Sequence, residues 1–162
     1  MRVYTIVAAS AVLALLVGCD GGGARPAKSA STRGTSVSEL ESALPNLVDL
    51  GVVACDYASE RRSASSGLPS PSDVLLEMLG HASLGDDAAC KLRDESEWEP
   101  IERDKVPEGL RAILPAGEIL VCRRLNKTFS QNSTYAHGIV IVMKNDLNKL
   151  YFIARDLDHP IE

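Results

Sequence analysis

The stretch Tyr135-Ala136-His137-Gly138-Ile139-Val140-Ile141-Val142-Met143-Lys144 decides the fold. Ile139 to Met143 are large and apolar at every position. Neighbouring side chains on a strand point to opposite faces, so such a run is apolar on both sides. It is expected near the middle of a sheet, covered by helices. Glu118 to Leu125 before it and Leu150 to Arg155 after it are also β-rich, and polar loops separate the three. Together they read as an antiparallel meander. Asn145-Asp146-Leu147-Asn148, between the last two runs, reads as a hairpin turn. It offers oxygen ligands but lacks the spacing and closing glutamate of an EF-hand calcium loop.

Upstream, the periodicity changes. Ser36 with Glu39, and Ser38 with Glu41, fit capping boxes, and Leu40, Ala43 and Leu44 recur on one helical face before Pro45. Leu47, Leu50, Gly51, Ala54 and Ala58 continue at helical spacing. The expectation is one helix kinked at Pro45, or two abutting helices, ending near Arg61-Arg62. Ser70-Pro71-Ser72-Asp73 reads as the start of another helix, with Val74, Leu75, Met78 and Leu79 buried and Gly80 as its stop. Ala88 to Leu92 reads as a short strand and Pro107 to Leu114 as a short helix. The fold class expected is α+β, with N-terminal helices packed on a C-terminal antiparallel β-meander of three to five strands.

Asp94 to Lys105 holds six acids around Trp98, with Arg103 and Lys105 as its only bases. Acids this dense repel one another unless they are solvated or met by cations. The segment is therefore either a solvated edge with Trp98 folded back on the core, or an acidic recognition face. On the second reading Glu97, Trp98, Glu99 and Glu102 bind a partner and Trp98 is the anchor. A glycosidase pair would need two acids in a cleft with separated pKa values, and a surface run offers no such asymmetry. No GxGxxG, P-loop, GxSxG, CxxC or HxxxH occurs, and His81, His137 and His159 lie far apart in the sequence. No metal, cofactor or catalytic residue is expected. His137, opening an apolar strand, reads as a structural histidine, and His159 as a terminal one.

Met1-Arg2 is followed by Val3 to Val17 without a charge, and then by Gly18-Cys19. Fifteen residues suit the core of a signal peptide and fall short of the ~20 that a spanning helix needs. Leu16-Val17-Gly18-Cys19 resembles the lipobox of bacterial lipoproteins. That resemblance, confined to residues 1–19, implies cleavage before Cys19, a thioether-linked diacylglycerol on its sulfur and acylation of the new amine, palmitate being the expected acid. Two or three acyl chains, at ~0.8 kcal/mol per buried CH₂, hold a protein firmly to a bilayer. Asp20 is similar to an inner-membrane retention signal, so the periplasmic face of the inner membrane is expected, with the outer membrane as the alternative. In that oxidising space Cys55, Cys90 and Cys122 allow three pairings. Cys55–Cys90 is favoured, with Cys122 a small buried hydrophobe in a strand.

The domains expected are a signal peptide at 1–18, lipidated Cys19 with a Gly, Ser and Pro-rich flexible tether to residue 35, and one α+β domain at 36–162. Without residues 1–18 the chain carries 16 bases against 22 acids, a net charge of −6. That balance disfavours nucleic acid and suits a basic protein partner. Scarce aromatic residues argue against a sugar-stacking platform. The function expected is a membrane-anchored protein-binding or inhibitory module. It resembles immunity proteins in size and place, without a shared motif. The alternatives are an envelope assembly accessory or, less favoured, a cell-envelope hydrolase.

Overall fold

A computed structural model describes residues 29–63, 74–95, 97–129, 134–156 and 158–161. Its frame is one antiparallel sheet of seven strands. In chain order these are β1 (Ser29–Gly34), β2 (Val52–Ser63), β3 (Val74–Leu84), β4 (Glu99–Ile101), β5 (Ile119–Val121), β6 (His137–Met143) and β7 (Asp146–Arg155). In space they run β1-β2-β3-β7-β6-β5-β4. The last strand therefore lies at the centre, paired through Gly80↔Phe152 with β3 and Val140↔Phe152 with β6.

Alternation along each strand builds two apolar layers. Met78, Ala82 and Leu84 of β3, Val140 and Val142 of β6, and Leu150, Phe152 and Ala154 of β7 face the main core. Against them pack α1 (Val37–Ala43), α2 (Pro45–Val48), α3 (Asp86–Glu95) and α5 (Arg123–Phe129), which contribute Leu40, Leu47, Ala89, Leu92 and Leu125. The opposite face carries a smaller core. Ile119, Ile141, Met143, Tyr151 and Ile153 lie under Val106, Leu110 and Leu114, which belong to and flank α4 (Glu108–Ile113). The expected central run is thus buried on both faces: Val140 to Met143 are all fully covered. Residue by residue, such burial is worth about 1.5–3 kcal/mol per large side chain.

Three helix ends show how the sequence sets its boundaries. Ser36 Oγ accepts the Glu39 N–H at 3.3 Å, which caps α1. At the end of α2 the chain turns through Gly51, at φ 91°, where a Cβ would also collide with Ala88. Arg103 donates to the carbonyls of Leu114 (2.7 Å), Pro115 (2.8 Å) and Arg111 (3.5 Å), satisfying acceptors that the end of α4 leaves free.

The α+β arrangement of N-terminal helices on a C-terminal meander of three to five strands is overturned. The sheet has seven strands, three of them from the N-terminal half, and the helices are short and dispersed along the chain. Val52–Ser63 is a strand where a helix was expected, because Gly51 breaks the helical run and β2 then pairs with β1 and β3. Val74–Leu84 is a strand and not a helix. Leu76, Met78, Ala82 and Leu84 alternate toward the core, and Gly80, read as a helix stop, is the position where β3 meets β2 too closely for a Cβ. Ala88–Leu92 is helical, with Asp86 and Asp87 in the first turn of α3, where acids favour the helix dipole. Within Glu118–Leu125 only Ile119–Val121 is a strand, and Arg123 starts α5. Ser29–Gly34, assigned to the tether by composition, forms β1, and its Ser29 hydroxyl donates to Glu60 at 2.5 Å. The short helix within Pro107–Leu114 and the β6–β7 hairpin are present, but β7 begins at Asp146, so Asp146 to Asn148, read as part of the turn, are strand.

Candidate functional site

The acidic segment folds along one edge of the sheet. Among the described residues β4 is the terminal strand, paired only with β5 through Glu99↔Val121, Pro100↔Leu120 and Ile101↔Ile119. Glu97, Glu99 and Glu102 are all exposed there, so the structure brings the three carboxylates to a common edge. Trp98 behaves differently. It is half-buried and packs against the main core, with its indole N–H enclosed and without a partner among the described residues. Of the two readings of Trp98, its packing matches the one in which it folds back on the core.

Cations meet part of this charge. Glu99 pairs with Arg123 at 3.2 Å and Glu102 with Lys105 at 2.9 Å. All four side chains are more than half exposed, so water and salt screen both pairs. Glu97 and Glu99 share a cleft of about 210 Å³ with Cys122, Arg123 and Arg124. A shallower hollow of about 440 Å³ beside it is lined by Glu102, Lys105, Ile101 and Val121 among others. Acids and bases are thus interleaved along this edge, and both line its hollows.

Cys19 lies outside the described residues. Cys55 is buried on β2, Cys90 is exposed on α3, and Cys122 is buried between β5 and α5. All three are free thiols, so the Cys55–Cys90 bond expected from the sequence is not made in this structure. Burial, with the charges of Asp56 and Glu39, pushes the Cys55 thiol above its ordinary value and leaves it unreactive at neutral pH. Among the described residues no group of three or more His, Cys, Asp or Glu is placed to hold a metal ion. None of their helices is long and apolar enough to cross a membrane.

Reading the sequence missed a second polar cluster, because its members are far apart in the chain. On the face that carries the smaller core, β-sheet register aligns Asp56, His81 and Tyr151 across β2, β3 and β7. The rings of His81 and Tyr151 meet edge-on at 6.0 Å, and the Lys149 ammonium sits 5.6 Å from the Tyr151 ring centre. Burial lowers the pKa of His81; Lys149 adds to the effect and Asp56 opposes it. Its Nδ1 is buried without a partner among the described residues. The open hollow there, about 470 Å³, is lined by Arg33, Asp56, Leu79, His81 and Ile113 among others. Among the described residues no serine or cysteine lines it.

A third cluster ties down the end of β7. One Asp156 oxygen accepts the Leu76 N–H at 2.5 Å, and the other meets His159 Nδ1 at 2.6 Å and the Asp158 N–H at 3.2 Å. Burial raises the Asp156 carboxyl, but these partners outweigh it and hold the group below its ordinary value. Next to it, Arg155 pairs with Glu77 of β3 at 2.7 Å, with both groups largely covered. These contacts lock β7 to β3 and give the C-terminal end a structural role.

No protein-family model, curated protein or solved structure matches the chain.

Proposed function

We propose that this protein is a membrane-anchored periplasmic lipoprotein. It holds a basic protein partner at the membrane surface through its acidic edge, in the manner of an inhibitory, immunity-like module. The supporting observation is the strand order. β1 follows Cys19 by ten residues, a stretch that spans at most ~35 Å. β4, with Glu97, Glu99 and Glu102 around it, is the opposite edge of the sheet, six strand spacings or about 29 Å away. An anchor at one edge and a charged rim at the other leave that rim available to a partner in the periplasm. Rim charges of this type chiefly govern encounter rate and salt dependence.

The test uses the detergent-solubilised full chain and its Glu97→Gln, Glu99→Gln, Glu102→Gln triple variant, each used to capture partners from envelope extract. The captured complex should weaken in the triple variant at low salt, and the difference should shrink as salt rises. Equal capture by both proteins would remove the acidic edge as the binding surface. Intact mass of the purified native chain gives a separate check on the anchor, since a bare Cys19 sulfur would refute it.

A further inference from the structure

The two free edges of the sheet are chemically unequal. β4 is three residues long, contains Pro100, which has no N–H to donate, and carries Glu99. Short length, proline and charge are the devices by which proteins stop sheet edges from pairing. β1 has none of them but a single arginine: its six residues, Ser29-Ala30-Ser31-Thr32-Arg33-Gly34, include neither proline nor lysine. Five of the six are exposed, and its outer side pairs with no strand among the described residues.

We propose that β1 is a self-association strand, pairing edge to edge with β1 of a second copy of this chain and joining two seven-stranded sheets into one. Symmetry restricts how this can happen. Two identical antiparallel strands in a continuous sheet are related by a two-fold axis through the sheet, so one residue of β1 must face its own counterpart. Opposed residues also share a face. An axis at Ser31 sets Ser31 against Ser31 and Arg33 against the partner's Ser29. It keeps the two Arg33 side chains four residues, or about 13 Å, apart along the strands, beyond the ~10 Å range of unscreened repulsion at 0.1 M salt.

The same register brings Arg33 to a carboxylate. The Ser29 hydroxyl is bound to Glu60, which Arg62 of β2 already pairs at 2.7 Å, so Arg33 arrives as a second cation beside that carboxylate of the other copy. Arg62 and Ser29 hold that carboxyl down to about 2, so it is charged at neutral pH. Moving the axis to Thr32 would bring the two arginines within about 7 Å and lose this match. Anchoring at Cys19, as proposed above, would hold both β1 strands close to one membrane plane and so favour their encounter. The pairing itself does not depend on the anchor.

The test is made on the full chain in detergent and in reconstituted vesicles, in a Cys90→Ser background that removes the exposed thiol. Directly opposed strand positions are close enough for a disulfide. Ser31→Cys should therefore self-cross-link at least about tenfold faster than both the parent and an Asp87→Cys control on α3, as a millimolar effective concentration implies. Ser31→Lys, which sets two ammonium groups on the axis, should convert the dimer seen by native mass spectrometry to monomer, with Tm unchanged when both proteins are compared at a dilution where the parent is also monomeric. Cross-linking at Ser31→Cys no faster than at Asp87→Cys, or a parent chain that is monomeric in both settings, would overturn the proposal. Loss of the partner complex in the acidic triple variant alone would leave it standing, so the two readings fail separately.

Discussion

Glu60 shows how much a surface residue can depend on its neighbours. Arg62, at 2.7 Å, and the Ser29 hydroxyl hold its carboxyl at about 2, against an ordinary 4.5. A carboxyl whose folded pKa is depressed adds stability above its unfolded value. That contribution fades as pH falls through 4.5 toward 2. Urea midpoints at stepped pH should therefore decline less steeply between these values in Glu60→Gln than in the parent, and parallel curves would contradict this. Because Arg62 is more than half exposed, the difference should also narrow in high salt. Asp156 acts in the same direction through Leu76, His159 and Asp158, so the parent should keep an acid-sensitive limb even without Glu60. Gly80 is the opposite kind of residue, essential for what it lacks. A Cβ there would run into the Asp56 carbonyl and the Tyr57 backbone, neither of which can swing aside. Gly80→Ala should cost about 1–3 kcal/mol, measured by thermal or urea unfolding. A neutral result would mean that β2 and β3 can separate.

Among the elements, the β6–β7 hairpin was legible and the β2–β3 pair was not, for a physical reason. Ile139 to Met143 is apolar at every position, and no helical face requires that. β2 instead follows α2 directly, and its own alternation is disturbed by an irregularity between Val52 and Ala54. Period two therefore hides behind the spacing of Leu47, Leu50, Ala54 and Ala58. β3 alternates cleanly, but Ser70-Pro71-Ser72-Asp73 reads as a helix start, and that start lies outside the described residues. At the candidate site, the sequence revealed the acidic edge because its members are contiguous. The alignment of Asp56, His81 and Tyr151 depends on strand register, which no local pattern encodes. The cap of α1 was legible and gives a direct test: Ser36→Ala should lose about 1 kcal/mol through the Glu39 N–H, read from the urea midpoint at constant m. A loss below a few tenths would mean that water replaces the cap.

For the whole molecule, the central strands carry the stability. Phe152 of β7 is fully buried between β3 and β6, under the helices of the main core. Phe152→Ala should cost about 3–5 kcal/mol, a large share of the ~5–15 kcal/mol that holds an ordinary domain folded, and a loss below about 2 would show that the core collapses into the space. Amide exchange should rank the strands by position, with β7 and β6 slowest and β4 fastest. β1 should exchange quickly at low protein concentration and slow down as copies associate. A β7 amide set that exchanges as fast as β4 would contradict this order.

The central place of β7 also sets the order of assembly. A ribosome delivers β1, β2 and β3 first, and until β7 exists the inner side of β3 is a raw, adhesive margin. The strand that closes this gap is made last and must slot between two others, at a sequence distance of about seventy residues from β3. Such a chain does not accrue stability strand by strand as it is translated, because β3 and β6 stay unjoined until β7 is present.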